Sequence, residues 1–105
     1  IIGGVCHGVL GLIKAKDKDG NLLIAGRKMT GVTDKQLKEL GIMFTPQHPE
    51  EELRKAGAIF QSETAFKDIF ATMTVVDDEK RFVTGQNQNS GHETAYAMME
   101  ILNSQ

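Results

Sequence analysis

The chain has no tryptophan, one tyrosine, two prolines and a single cysteine in 105 residues. One cysteine excludes a disulfide within the chain, so a reducing, cytoplasmic location is expected. The apolar runs are far shorter than the roughly 20 residues that cross a bilayer, which argues against a membrane partner. The net charge of −2 argues against a nucleic-acid partner, because proteins that bind nucleic acid carry basic patches.

The composition and the first residues bear on domain organisation. With 40% hydrophobic and 25% charged residues, the chain has the composition of one small globular domain. Residues 1–5 have the pattern of an apolar strand already under way at Ile1. This pattern predicts an upstream segment, so that residues 1–105 form the C-terminal part of a single domain whose N-terminal part is absent from this chain.

Capping signals predict most of the helices. Thr33 with Gln36 has the spacing of a capping box, and Gly41 follows as the stop of that helix. Pro49 suits the first turn of a second helix, which Gly57 ends.

Two further helices are predicted from the apolar pattern. Residues 7–15 have helical apolar spacing directly after Cys6. The last helix is predicted to begin at Ser90, in a capping box with Glu93, and to bury one apolar stripe. The stripe consists of Ala95, Met98, Met99 and Leu102.

Strands are predicted over residues 1–5, 22–24, 28–30, 58–61, 72–76 and 82–84. Strands interleaved with helices indicate an α/β fold with a sheet sandwiched between helices. Phe66 and Phe70, at helical spacing, are expected in the core or at a subunit contact.

Cys6 lies where a strand meets a helix, with Gly3, Gly4 and Gly8 around it. A nucleophile at such an elbow is held clear of the sheet, and small neighbours let a substrate approach. The N–H groups of the helix would favour thiolate over thiol and could stabilise an oxyanion. His7 could act as general acid or base. Otherwise, a lone cysteine beside a buried strand is a small inert hydrophobe.

Four segments together resemble the DJ-1/PfpI superfamily, in its glyoxalase III-like branch. Val5-Cys6-His7-Gly8 looks like its nucleophile elbow, and the other segments follow in the family's order. They are residues 26–31, residues 52–58, and the loop at 83–87 before the last helix. The resemblance implies a flavodoxin-like, three-layer α/β/α sandwich, of which this chain is the C-terminal half starting at the elbow strand.

The resemblance implies a cysteine-dependent enzyme that needs no cofactor or metal and converts small reactive aldehydes, such as methylglyoxal to lactate. Cys6 would be the nucleophile and His7 the proton shuttle. Two alternatives use the same cysteine: a stress-response chaperone or redox sensor without turnover, and a cysteine amidase or peptidase. Because a sensor needs no proton shuttle, His7 favours an enzyme. Many relatives are dimers, so a homo-oligomer is expected.

The remaining candidate site residues are less well defined by the sequence. Relatives carry a glutamate that orients the histidine in the segment 32–37, where this chain has none, and Asp34 is the nearest carboxylate. Alternatively, Asp34 is only a first-turn helix acid. Gly8, His48 and Asn87 are candidate substrate-binding residues. His48 otherwise only starts a helix, and Asn87 otherwise belongs to a polar turn whose amides bond to the backbone.

Overall fold

Strands are interleaved with helices along the chain in the computed structural model, which describes residues 1–42 and 44–104. The strands are β1 (Ile2–Val5), β2 (Lys28–Met29), β3 (Ile59–Phe60), β4 (Thr74–Val76) and β5 (Phe82–Gly85). The α-helices are α1 (Asp34–Glu39), α2 (Pro49–Lys55) and α3 (Gly91–Asn103). Three 3₁₀ helices span Cys6–Leu12, named the elbow helix here, Asp68–Phe70 and Gln88–Ser90.

The strands pair in two groups. In the larger one β5 is central, parallel to β1 and antiparallel to β4. In the smaller one β2 and β3 run parallel. The end of β2 reaches the larger sheet through the Thr30 N–H, which donates to Thr84 Oγ1 at 2.9 Å. The chain therefore has a mixed α/β fold, which confirms the predicted α/β class.

The two faces of β5 contact different helices, because successive side chains of a strand point to opposite faces. Gly85 faces α3, where an added Cβ would clash with Thr94. Phe82 belongs to the core on the other face, together with residues of the elbow helix and α2. That core consists of Val9, Ile13, Ile24, Met29, Leu53, Ala56, Ala58 and Phe82. Helices therefore cover the sheet on both faces.

The predicted limits of α1 and α2 are confirmed. Thr33 Oγ1 accepts a hydrogen bond from the Gln36 N–H at 3.0 Å, so Thr33 is the N-cap of α1. The reciprocal half of the capping box is absent from the described residues, because Gln36 Oε1, which would accept from the Thr33 N–H, has no hydrogen-bond partner there. Gly41 and Gly57 follow the two helices at φ of +74° and +89°, a left-handed conformation that glycine adopts without strain.

The predicted strand at 22–24 is wrong. Leu22 makes a single antiparallel bridge with Lys16, and residues 23–26 form turns. The Ala25 N–H donates to the Leu22 carbonyl and the Arg27 N–H to the Ile24 carbonyl. These local hydrogen bonds compete with strand pairing, and apart from the bridge at Leu22 they take its place in this segment.

Other predictions also need correction. The helix after the elbow is 3₁₀ and ends at Leu12. On α3 the buried side chains are Thr94 and Ile101, while Met99 and Leu102 are about half exposed, so the predicted stripe is wrong. The buried stripe is set by the close approach of α3 to Gly85, which places Thr94 at the sheet.

The N-terminus of α3 also differs from prediction, and of the two alternatives for Phe66 and Phe70, core or subunit contact, the first is excluded. Ser90 is the N-cap of α3, but its side chain makes no capping hydrogen bond, and Glu93 contacts Thr72 Oγ1 instead of completing a capping box. Phe66 and Phe70 are 91% and 75% exposed, which excludes them from the core. Among the described residues, no helix has the length and apolar character needed to cross a membrane.

Candidate active site at the Cys6 elbow

Cys6 has a left-handed backbone conformation, with φ of +56°. Residues other than glycine rarely adopt this conformation, and holding one there costs about 1–3 kcal/mol. Strand β1 ends at Val5 and the elbow helix begins at Cys6 itself, so the change from strand to helix falls at the cysteine. Strained backbone of this kind is concentrated at functional sites, where the surrounding structure maintains it.

The segment after β2 holds the elbow in place. The Val32 N–H donates to the Cys6 carbonyl at 3.4 Å. Gly31 permits this approach, because a Cβ there would lie 2.8 Å from the Val9 side chain and 3.4 Å from the Cys6 carbonyl oxygen. On the solvent side, a Cβ at Gly8 would meet no atom within 4 Å. The chain is therefore tightly packed behind Cys6 and open at Gly8.

The sulfur is half-buried and faces three polar groups. His7 Nδ1 lies 3.5 Å from Cys6 Sγ. The backbone N–H groups of His7 and Gln88 also approach the sulfur. Burial raises the pKa of the Cys6 thiol, and the two N–H groups offset this only in part, so the net pKa lies above its ordinary value. The expected stabilisation of the thiolate by backbone N–H groups is therefore present but outweighed by burial.

The raised pKa predicts slow alkylation of Cys6 near neutral pH. The rate constant for alkylation by iodoacetamide should rise with pH, because only the thiolate reacts. The midpoint of this rise should lie above the pKa of an ordinary cysteine, about 8.5. Alkylation quenched at set times and followed by intact-mass spectrometry would measure the rate constant directly, since the chain has one cysteine. The guanidinium-unfolded protein is the control and should give the ordinary midpoint. A folded-state midpoint below the unfolded one would contradict the burial effect.

The loop after β5 supplies the Gln88 N–H and is held by Asn87. The Asn87 side chain is fully buried and donates to the carbonyls of Asp68 and Ala71 at 3.0 and 3.1 Å. Its oxygen accepts from the Asn89 N–H and from Ser90 Oγ. With all four hydrogen-bonding positions used, the amide has none left for a substrate in this arrangement. This geometry favours the alternative that Asn87 organises the turn.

Asp34 and His48 lie together, where α1 meets α2. Asp34 Oδ1 is 3.4 Å from His48 Nδ1, and the Asp34 N–H donates to Glu50 Oε1 at 3.1 Å. His48 is the N-cap residue of α2. Within residues 1–42 and 44–104, no hydrogen bond or ion pair joins Asp34 to His7. The role of Asp34 in orienting His7 therefore stays a prediction.

Three residues near the site were not predicted from the sequence. Gln88 contributes a backbone N–H, a group that every residue except proline has, so the sequence contains no signal for it. Gln36 donates from its side chain to Gln88 Oε1 at 3.3 Å. Asp68 is buried and accepts hydrogen bonds from Thr33 Oγ1 and Lys35 Nζ, which ties the start of α1 to the loop 64–68.

Metal ligands do not cluster in the described part of the chain. It contains no group of three or more His, Cys, Asp and Glu side chains placed to hold a metal ion. The turn at residues 17–21 is organised by Asp17, whose carboxylate accepts from the N–H groups of Asp19 and Asn21 at 2.9 and 3.0 Å.

Two crystal structures closely resemble this chain. One is Rapid Encystment Protein 24 kDa from Francisella tularensis, with a TM-score of 0.85 and 30% sequence identity. The other is a protein designated APC35852, with a TM-score of 0.87 and 34% identity. They match 95% and 99% of this chain, which spans only 42% and 45% of theirs. No protein-family model and no curated protein sequence matches. The chain shares its fold with part of both larger proteins.

Proposed function

We propose that the protein is a cysteine-dependent enzyme that converts small 2-oxoaldehydes, such as methylglyoxal, to 2-hydroxy acids. One observation carries the proposal: Cys6 stands in a left-handed conformation between β1 and the elbow helix, with His7 Nδ1 3.5 Å from its sulfur. Nucleophiles activated by an adjacent base have this arrangement. An inert core cysteine would not require a strained backbone beside a histidine.

The reaction needs only these groups and water. His7 takes the thiol proton as Cys6 Sγ forms a bond to the aldehyde carbon. His7 then gives this proton to the aldehyde oxygen, which completes a hemithioacetal and restores the neutral imidazole. His7 then removes the proton from that carbon, the hydroxyl proton passes to the neighbouring carbonyl oxygen, and His7 returns its proton to the neighbouring carbon, which gives a 2-hydroxy thioester. Water cleaves the thioester, releases the 2-hydroxy acid and restores the thiol. The transformation is an internal redox reaction, so no external oxidant or reductant is consumed.

The raised pKa of Cys6 assigns a definite task to His7. Because burial keeps the resting sulfur protonated, attack on the aldehyde requires a base in contact with the thiol. The backbone N–H groups of His7 and Gln88, which approach the sulfur, are candidate donors to the oxyanion that forms beside it. The same burial counts against a redox sensor, because sensor cysteines are accessible thiolates.

The wider assignment follows the sequence resemblance. We propose a DJ-1/PfpI-like protein with a flavodoxin-like three-layer sandwich, of which these residues form the C-terminal part. The elbow geometry and the helices on both faces of the sheet support this assignment. Self-association belongs to the same proposal, supported by exposed Tyr96, Met99 and Leu102 on α3. We also propose that the reaction partner is a small aldehyde, that no cofactor is needed, and that the protein is cytoplasmic.

Lactate formation from methylglyoxal, without glutathione or added metal, tests the proposal. His7→Ala should lower kcat/KM by about 10²–10⁴-fold, the usual contribution of a general acid–base group. Asp34→Asn should have a smaller effect, because the described contact of Asp34 is with His48. Glu51→Gln, an exposed change on α2, is the control and should retain full activity. Absence of lactate with the native protein, or full activity of His7→Ala, would refute the mechanism.

A further inference from the structure

Gln36 is a fully buried polar side chain in the first turn of α1. Its Nε2 donates to Gln88 Oε1 at 3.3 Å, while its Oε1 has no hydrogen-bond partner among the described residues. A buried acceptor without a partner costs stability, whereas an apolar side chain of the same size would carry no such cost. The presence of an amide at this position is therefore explained by its contact with Gln88.

Gln88 lies on the surface but takes part in the Cys6 site. It is an exposed residue at the start of the 3₁₀ helix Gln88–Ser90, and its backbone N–H approaches the Cys6 sulfur. The first N–H groups of a helix have no acceptor within the helix and can donate to a neighbouring group. Surface loops are more mobile than the elements that they connect. A donor in such a loop therefore needs support to keep its distance from the sulfur.

Hydrogen bonds within the turn fix the direction of this N–H. The Asn87 carbonyl belongs to the same planar peptide as the Gln88 N–H, and it accepts from the Ser90 N–H at 2.9 Å. Rotation of the peptide plane would break this hydrogen bond. The Asn89 N–H also donates to Asn87 Oδ1, at 3.0 Å. Both hydrogen bonds lie within the turn, so they do not set its distance from Cys6.

Gln36 connects the turn to the segment that supports the elbow. The Val32 N–H donates to the Cys6 carbonyl at 3.4 Å, and Gln36 follows four residues later, in the helix that Thr33 caps. One half of a closed ring runs from the Cys6 carbonyl through Val32 to Gln36. The other half returns from Gln36 through Gln88 to the Cys6 sulfur. Because the ring is short, it sets the distance between the Gln88 N–H and the sulfur.

We propose that Gln36 is a positioning residue of the Cys6 site, whose amide holds Gln88 so that the Gln88 N–H faces the sulfur. Its consequence for catalysis rests on the proposed function, whereas its effect on the thiol requires no turnover. When His7 removes the thiol proton, the N–H that Gln36 holds in place stabilises the negative charge. Without the contact, the N–H faces the sulfur for only part of the time.

Alkylation of Cys6 by iodoacetamide tests the inference without turnover. Gln36→Met removes the amide at similar volume and should raise the midpoint of the pH–rate curve by about 0.5–1 unit, because a hydrogen bond to the thiolate is weakened. Gln88→Met, at an exposed position, should raise the midpoint by a similar amount. Since both changes break the same contact, the double variant should show no further rise. Unchanged midpoints in the single variants, or additive rises in the double variant, would overturn the inference.

Two controls separate positioning from general damage to the fold. Leu40→Ala, an uncharged change at the half-exposed C-cap of α1, should leave the midpoint unchanged. Gln36→Met should unfold at or above the native Tm, because it also removes the unpartnered acceptor. A rise in the midpoint that follows a fall in Tm in every variant, Leu40→Ala included, would overturn the inference.

In turnover of methylglyoxal, Gln36→Met should lower kcat by about three- to tenfold and leave KM unchanged, because it weakens an interaction with the developing charge. A raised KM with unchanged kcat would overturn the positioning role. If the native protein releases no lactate, the reaction proposed for Cys6 is wrong, and the alkylation midpoints alone decide the inference. If lactate is released and the midpoints do not move, the proposed function stands and the inference fails.

Discussion

Replacing Cys6 with alanine is expected to lower lactate formation from methylglyoxal by more than about a thousandfold, to the background rate without enzyme. The reason is that every step of the proposed reaction takes place while the substrate is bonded to this sulfur. His7 and the backbone N–H groups that remain could polarise the aldehyde but could not form the thioester. The measurement is D- and L-lactate release under saturating methylglyoxal.

Two controls separate lost chemistry from lost structure. Cys6→Ser keeps the side-chain shape with a much weaker nucleophile and should be nearly as inactive as Cys6→Ala. Both variants should retain the native circular dichroism spectrum, since the strained conformation at φ of +56° is held by surrounding contacts and not by the sulfur. Activity within tenfold of native in folded Cys6→Ala would show that another group performs the reaction.

Asp68→Ala should be the most destabilising single change, with a loss of about 3 kcal/mol in the free energy of unfolding. The carboxylate is 2% exposed and accepts from Thr33 Oγ1 at 2.6 Å, Thr64 Oγ1 at 2.9 Å and Lys35 Nζ at 3.0 Å. Its removal leaves the hydroxyl groups of Thr33 and Thr64 without this acceptor, while Lys35 Nζ still donates to Thr64 Oγ1 and to the Ala65 carbonyl. For a domain of this size the loss corresponds to a fall in Tm of roughly 10–15 °C in thermal unfolding.

Asp78→Ala is the matched control for Asp68→Ala. Asp78 also forms an ion pair, with Lys28 Nζ at 3.1 Å, but its side chain is 81% exposed. Exposed pairs contribute at most about 1 kcal/mol, so this variant should unfold within a few degrees of the native protein. Similar losses in both variants would contradict the role assigned to burial at Asp68.

The contribution of Asp68 to the free energy of unfolding should also depend on pH. Burial raises the pKa of this carboxyl, but the hydrogen bonds from Thr33, Lys35 and Thr64 and from the Ala65 N–H outweigh it, so the net pKa lies below its ordinary value. A lowered pKa in the folded state stabilises the protein above the ordinary carboxyl range, and this stabilisation disappears as pH falls through the folded pKa. The stability difference between native and Asp68→Asn should therefore shrink below about pH 4.

Local signals predicted the elements that have local causes. The cap at Thr33 and the glycine stops at Gly41 and Gly57 depend only on residues within one turn of the helix end, and the structure confirms them. The 22–24 strand failed because pairing requires a neighbouring strand, which a sequence segment cannot reveal about itself. The stripe on α3 failed for the same reason, since the approach to Gly85 decides which side is buried.

The candidate site likewise has features with local causes, which the sequence predicted, and features that depend on distant contacts, which it did not. Cys6 and His7 are adjacent in sequence, so their proximity required no knowledge of the fold, and the glycine-rich junction predicted the elbow. The Gln88 N–H and the Gln36 amide reach this region only through the packing of α1 against the loop after β5. The contact of Asp34 with His48 depends on how α1 meets α2, so the position of Asp34 within the segment 32–37 was insufficient to identify its partner.

The most direct test of the central claim is intact-mass spectrometry of the protein after rapid acid quenching with methylglyoxal. We predict an adduct of one methylglyoxal per chain, located on Cys6 by peptide mapping, that forms and decays at rates consistent with lactate release. Native protein that releases lactate without any adduct on Cys6, or an adduct that persists after the aldehyde is consumed, would contradict a catalytic thiol at this elbow.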